Sequence, residues 1–221
     1  MKPAVPVLLL SLACAHGAPP PPAYVDGDPA GPPALEAMPA HPAGGRPPGM
    51  SETMVFAWTL SEQAFDLPDP PPAPMDPTVA AVEAWTAQHL QPWLGDKNRM
   101  VEAARRELDV AADEIIEQRI VAGALVGLLY EDVARVLLSI PVPQEIADEE
   151  PEIREAYEYV VESQAEPFLA HSRAAYRACA GNSRVEERFA AFERFCSQRR
   201  ANLPLTRDER AEGTVLEVIR E

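Results

Sequence analysis

The distribution of proline constrains the fold of this chain more than any other feature. Of its 25 prolines, 17 lie between Pro19 and Pro77, including the runs 19–22 and 70–72. A segment of this composition cannot bury enough apolar surface to offset the entropy lost on ordering. The sequence therefore predicts a disordered linker with polyproline II character over residues 16–75 and leaves about 145 residues to form a core.

One stretch inside this proline-rich region departs from its composition. Large apolar residues cluster there, at Met54, Val55, Phe56, Trp58, Leu60 and Phe65. Such side chains are too apolar for a pure spacer. Two interpretations stay open: the stretch packs back on the domain that follows, or it is a linear motif that a partner protein binds.

Residues 1–15 have the layout of a bacterial export signal. Lys2 precedes an apolar run from Ala4 to Ala13, and small residues follow. The run is about ten residues long, whereas a helix that crosses a bilayer needs about 20.

Two processing routes fit this signal. The segment Ser11-Leu12-Ala13-Cys14 resembles a bacterial lipobox, which predicts lipidation at Cys14. Ala15 follows the cysteine, which implies, by analogy with enterobacterial sorting, an outer-membrane lipoprotein that faces the periplasm. The alternative is ordinary cleavage after Ala13-Cys14-Ala15, which gives a soluble periplasmic or secreted protein.

The net charge limits the classes of partner. The formal charge is -16 at pH 7. Affinity for nucleic acid comes largely from Lys and Arg, so this composition argues against a nucleic-acid partner. An anionic membrane also repels an acidic protein, so attachment to a membrane requires an anchor such as lipid.

Residues 76–204 show helical patterns throughout and predict an all-α domain of antiparallel helix pairs. A first helix is expected from Asp76-Pro77 to about Gln91, where Pro92 and Gly95 would end it. An apolar stripe from Val101 to Ile116 marks the next helix. A third helix is expected over residues 118–139.

That third helix contains Gly123 and Gly127 in a G-x-x-x-G arrangement. The glycines indicate close packing inside a protein, because charged residues cut the apolar run too short for a membrane dimer face. Pro141 and Pro143 then stop the helix.

The remaining elements follow from prolines and caps. A helix is expected from Pro151 to about Ala180, with a bend or break at Pro167. Asn182-Ser183 would cap a last helix that ends near Ala201 and buries a stripe of phenylalanines. Residues 205–221 are predicted to be a flexible tail.

The strongest polar feature is an acidic run from Glu145 to Glu166, in which Arg154 is the one basic residue. Four of its carboxylates share one helix face because they recur at spacings of three and four: Glu155, Glu158, Glu162 and Glu166. Three interpretations stay open. The face is solvated, it pairs with the arginine-rich last helix (Arg184, Arg188, Arg194, Arg199 and Arg200), or it binds a basic partner.

For Cys179 and Cys196, chemistry and geometry point in opposite directions. An exported pair of thiols favours a disulfide. In a tight hairpin that turns near Gly181, however, Cys196 would lie roughly 12 to 15 Å beyond the residues that face Cys179. A bridge needs Cα atoms within about 7 Å. The disulfide Cys179–Cys196 is predicted nonetheless. It requires a longer excursion of the chain between Ala180 and Glu187, so that the last helix starts late or returns past Cys179.

Several small, aromatic and proline positions resemble a known family. Leu129-Tyr130, Pro141-Val142-Pro143 and Ala165-Glu166-Pro167 are similar to the C-terminal region of tetratricopeptide-repeat (TPR) envelope proteins of myxobacteria and relatives, some linked to gliding motility. The segments Tyr130-x-x-Val133-Ala134 and Tyr176-x-x-Cys179-Ala180 also echo each other, although no 34-residue repeat is present. The resemblance implies TPR-like helix pairs that act as an assembly scaffold and not as an enzyme.

No catalytic, phosphate-binding or metal-binding pattern appears, and no cofactor or small-molecule substrate is predicted. The sequence thus favours a non-enzymatic, lipid-anchored helical scaffold that binds other envelope proteins, with the four glutamates as the candidate surface for a basic partner. The alternative is an envelope enzyme or enzyme subunit whose site forms between helices from residues such as Glu162, His171 and Tyr176.

Overall fold

The computed structural model describes residues 49–185 and 187–205, and within these ranges every regular element is helical. The all-α fold class is therefore confirmed. The elements are α1 (Glu52–Asp66), α2 (Val79–Trp85), a π-helical turn (Thr86–Leu90), α3 (Gln91–Ala112), α4 (Ile116–Leu138), α5 (Gln144–Ala147), α6 (Pro151–Ser183), a 3-10 turn (Glu187–Phe189) and α7 (Ala190–Asn202). The predicted signal, Cys14 and most of the predicted linker and tail lie outside the described residues.

Helix α4 is the centre of the packing. Ile120, Leu125, Leu129 and Val133 along it have no exposed surface. It packs against both α3 and α6, while α1 covers α3 and α7 covers α6. Both α3 and α6 run antiparallel to α4. As the residue number increases along α4, the residue number of the contact decreases along α3 and along α6.

Helix α1 corrects the prediction of a disordered linker over residues 16–75. The side chains of Met54 and Trp58 are fully or almost fully buried, and α1 forms part of the core. Ser51 caps the helix by accepting a hydrogen bond from the Met54 amide, and its hydroxyl donates to Gln118 Oε1 at 2.7 Å. The stretch thus packs back on the domain, and the folded unit begins well before residue 76.

The predicted helix end at Pro92 is also wrong. Helices α2 and α3 run on through the π-helical turn. Pro92 is the second residue of α3 and follows that turn directly, so the change of winding in the π-helical turn accommodates the proline inside a continuous helix. The cap of α2 is Thr78, not Asp76, because the Thr78 hydroxyl accepts the hydrogen bond from the Ala81 amide.

Two further boundaries differ from expectation at the C-terminal end. Helix α6 continues unbroken through Pro167 for 33 residues. Asn182 and Ser183 do not cap α7, since their side chains donate to the carbonyls of Ala178 and Cys179 in the last turn of α6. Helix α7 consequently begins late, at Ala190.

Candidate interaction face and the polar clusters behind it

The four predicted partner-binding residues form an outward side of α6, which we call the acidic face (Glu155, Glu158, Glu162 and Glu166). The first two are exposed and the last two are half-buried. On the opposite side of the same turns Ile153, Tyr157 and Val160 are half-buried, and the Tyr157 hydroxyl donates to the carbonyl of Pro141 at 3.0 Å. That contact orients the glutamates away from the domain.

The first part of α6 contributes no buried side chain. The earliest buried residue of the helix is Ala165, although the helix begins at Pro151. About four turns therefore lie on the domain without entering its core. Helical surface that adds little to the core is available for other contacts.

Three arginines of the C-terminal segment form ion pairs away from the acidic face. Arg184 pairs with Glu193 at 2.7 Å. Arg188 pairs with Glu117 at 2.9 Å, and Arg199 pairs with Glu131 at 2.9 Å. Because these contacts draw the arginines toward α4 and α7, the interpretation that the last helix covers the acidic stripe is not supported by the pairs that the structure contains.

The structure brings Cys179 and Cys196 together in a disulfide. Their Cα atoms lie 6.1 Å apart, and both residues are fully buried. The late start of α7 at Ala190 makes this possible, because the residues between the helices carry the chain back past the end of α6. The disulfide joins α6 to α7 directly behind the seam between α6 and α4.

Two glycines of α4 allow α4 and α6 to approach each other closely at that seam. A Cβ atom added at Gly127 would stand 2.4 Å from the Tyr176 ring, and one at Gly123 would stand 3.2 Å from Cys179 Cβ. The Ser172 hydroxyl donates to the Gly127 carbonyl at 2.9 Å. The G-x-x-x-G is thus a packing surface for α6, as the sequence indicated.

Tyr176 links three helices. Its hydroxyl donates to Glu131 Oε2 at 2.5 Å, and Arg199 from α7 pairs with the same carboxylate. Burial of the phenol, together with the neighbouring Glu131 charge, raises the pKa of Tyr176 well above its usual value. The phenol therefore stays protonated and serves as a hydrogen-bond donor that ties α6 to α4.

A second polar cluster lies where α3 and α4 meet α6. The Tyr130 hydroxyl donates to Glu102 Oε1 at 2.9 Å and accepts from Arg105 at 3.3 Å. The His171 ring stacks on the Tyr130 ring with centroids 4.9 Å apart. Burial, followed by the nearby Arg105 charge, lowers the pKa of His171, while burial raises the pKa of Tyr130 to about 12. Near neutral pH the imidazole is thus an uncharged stacking partner.

The residues proposed for an enzymatic alternative are not brought to one place by these contacts. His171 belongs to the Tyr130 cluster, whereas Tyr176 is buried beneath Gly127 and tied to Glu131. Glu162 lies on the acidic face, on the outer side of α6. The contacts of His171 and Tyr176 join α6 to α4.

Sequence reasoning missed the group that fastens α1. Lys97 has no exposed surface, and its ammonium donates to the Ala64 carbonyl at 2.5 Å and pairs with Asp132 at 2.6 Å. Burial alone would raise the pKa of Asp132, but hydrogen bonds from Lys97 and Arg135 outweigh it and lower the pKa. A signal existed in the sequence, because Lys97 follows Trp93 by one turn on an otherwise apolar side of α3.

Other tests for function were negative within residues 49–185 and 187–205. No group of three or more His, Cys, Asp or Glu side chains is placed to hold a metal ion there. Among the helices of that part of the chain, none combines the length and the hydropathy needed to cross a bilayer. Comparisons with protein-family models, curated proteins and solved structures find no match to this chain.

Proposed function

We propose that this chain is a non-enzymatic, lipid-anchored helical scaffold of the bacterial envelope that binds a basic protein partner through the acidic face of α6. The observation that carries this proposal is the orientation of that face. Glu155 and Glu158 are exposed on turns that contain no buried residue, and Glu162 and Glu166 continue the same side of the helix. Arg184, Arg188 and Arg199 pair elsewhere.

The interior of the domain supports a scaffold and suggests no reaction. Two buried polar groups bond to neighbouring helices, Tyr176 to Glu131 and Lys97 to Asp132. Such ties fix helices relative to one another. The antiparallel pairs α3/α4 and α6/α7 also fit the TPR-like arrangement that the family resemblance implies.

Capture of a partner from envelope extract tests the docking role. Replacing Glu155, Glu158, Glu162 and Glu166 by Gln removes four charges while the helix is kept, since Gln and Glu have similar helix propensity. Recovery of the partner should fall several-fold, and circular dichroism should be unchanged. The matched control removes four other charges, by Asp76→Asn, Glu107→Gln, Asp113→Asn and Glu114→Gln.

Two results would end the docking proposal: undiminished capture by the acidic-face variant, or equal losses in both variants. Equal losses would mean that total charge matters and the face does not.

The lipid anchor is tested separately. We expect a diacylated or triacylated N-terminal cysteine at position 14 when the mature protein is analysed by mass spectrometry. An unmodified chain that begins at His16 would contradict the anchor and favour a soluble exported protein.

A further inference from the structure

The exposed side of α6 continues past the acidic face as one stripe of residues, and the charged residues along it change from glutamates to arginines. Successive members at spacings of three and four are Glu155, Glu158, Glu162, Glu166, Ala170, Ala174, Arg177, Gly181 and Arg184. All are exposed except Glu162 and Glu166, which are half-buried. A Cβ atom added at Gly181 would meet nothing within 4 Å, so that end of the stripe is open.

The two halves of this stripe are complementary in charge and in spacing. Glu155 and Glu162 are seven residues apart, and so are Arg177 and Arg184. If two copies of α6 lie antiparallel with Glu162 opposite Arg177 of the second copy, Glu155 falls opposite Arg184 of the second copy. The reciprocal pairs form at the same time because an antiparallel contact is two-fold symmetric.

The centre of this arrangement allows close approach. The two-fold axis passes between Leu169 and Ala170, and Ala170 is the stripe residue nearest to it. Glu166 is next, and in each copy it falls between Ala170 and Ala174 of the other copy. Helix separation depends on the side chains at the contact, so small residues there let the charged pairs at both ends meet. A parallel arrangement would instead place glutamates against glutamates.

We propose that the acidic face binds the Arg177–Arg184 end of α6 in a second copy of this chain, with the two helices antiparallel. This inference deepens the proposed function and rests on it, since it names the partner of the same face. Arg184 keeps donors for the contact, because its pair with Glu193 uses Nε and a guanidinium has five N–H groups.

The expected association is weak and charge-dependent. Exposed ion pairs contribute little each, and the net charge of -16 on each copy opposes association. Charge placement, not total charge, should therefore decide whether the dimer forms. A dimer held together by buried apolar area would not depend on the placement of charges in this way.

Charge reversal tests the proposal by sedimentation of purified mature protein over a concentration series. The variant E155R/E162R and the variant R177E/R184E should each dimerise about tenfold or more weakly than the native chain. The combined variant E155R/E162R/R177E/R184E should regain most of the lost affinity, because every pair between the two copies is restored with its signs exchanged. Only the Arg184–Glu193 pair within each copy stays broken. The control R106E/E114R, on exposed sites outside α6, should behave as the native chain.

A cross-link reports the register. Ala170→Cys places a thiol beside the two-fold axis, so a short bis-maleimide should join two copies. Ala156→Cys lies on the same exposed side of α6 but about four turns from the axis. The two copies of position 156 would be about 40 Å apart, so this variant should remain unlinked. A native chain that stays monomeric at every concentration, a combined variant that is not rescued, or equal cross-linking at both sites overturns the proposal.

These outcomes separate this inference from the docking proposal. A monomeric chain whose acidic face still captures a basic protein from extract would retain the proposed function with another partner. A dimer whose Glu→Gln variant still captures envelope proteins undiminished would keep the self-association and refute capture through this face.

Discussion

Helix α1 and the first four turns of α6 are helical stretches of similar length with opposite roles. Helix α1 comes from a region that composition assigns to a disordered linker, yet it buries Met54, Trp58 and Phe65. The start of α6 comes from the predicted helical domain, yet it contains no buried residue before Ala165. The comparison shows that the pattern of apolar residues within a helix decides whether that helix enters the core. The average composition of a longer segment conceals this pattern.

The largest expected effect comes from removing the anchor of α1. Trp58→Ala should lower the free energy of unfolding by about 3 to 5 kcal/mol, because a large buried aromatic leaves a cavity. A chain that begins at Asp76 should lose still more. Urea denaturation measures both. Tyr157→Ala, at the half-buried start of α6, is the matched comparison and should cost clearly less, and equal losses at both sites would refute the contrast.

The buried ion pair provides the next test, since Lys97 joins α1 to α4. Asp132→Asn should destabilise the protein by about 3 kcal/mol, because it leaves the Lys97 ammonium buried without its charged partner. The double variant Lys97→Met with Asp132→Asn should cost less than the two single changes added together. Additive losses would mean that the two groups do not interact.

The pH dependence of this pair has a definite sign. The pKa of Asp132 is lowered in the folded state, so its contribution to stability is present above the pKa of an unfolded aspartate, about 4, and is lost as the pH falls through the folded value. The native chain should therefore lose more stability on acidification below about pH 4 than Asp132→Asn does. Parallel acid unfolding profiles would contradict this.

The disulfide connects α7 to the C-terminal part of α6, which is the part of that helix that enters the core. Replacing both Cys179 and Cys196 by Ala should cost about 3 kcal/mol, as expected for closing a loop of this length. Denatured, unreduced protein should contain no thiol at these positions that reacts with a maleimide. Two reactive cysteines per chain would show that the bond does not form in the exported protein.

The sequence was a good guide where pattern and backbone chemistry act locally. The span of α4, its stop before Pro141 and the packing role of Gly123 and Gly127 follow from periodicity, from proline and from glycine. It was a poor guide where tertiary contacts decide. The continuation through Pro92 depends on a π-helical turn, and the burial of Lys97 depends on a carbonyl from α1 and a carboxylate from α4.

The candidate site divides in the same way. The spacing of the four glutamates gave the acidic face directly. The cluster of Tyr130, Glu102, Arg105 and His171 joins three helices and has no counterpart in local spacing. The partners of Arg188 and Arg199 could not be read from their sequence positions either, since both are glutamates on α4.

The smallest expected effect sharpens the contrast between α1 and the start of α6. Replacing the four glutamates of the acidic face by Gln should change the free energy of unfolding by no more than about 1 kcal/mol. Neighbours at spacings of three and four repel one another by a few tenths of a kcal/mol per pair. The loss of the exposed Arg154–Glu158 pair, at 3.8 Å, offsets part of that relief. Thermal and urea unfolding measure the change, and a marked destabilisation would mean that these glutamates hold the domain together, so that weaker partner capture by the same variant would no longer indicate a docking face.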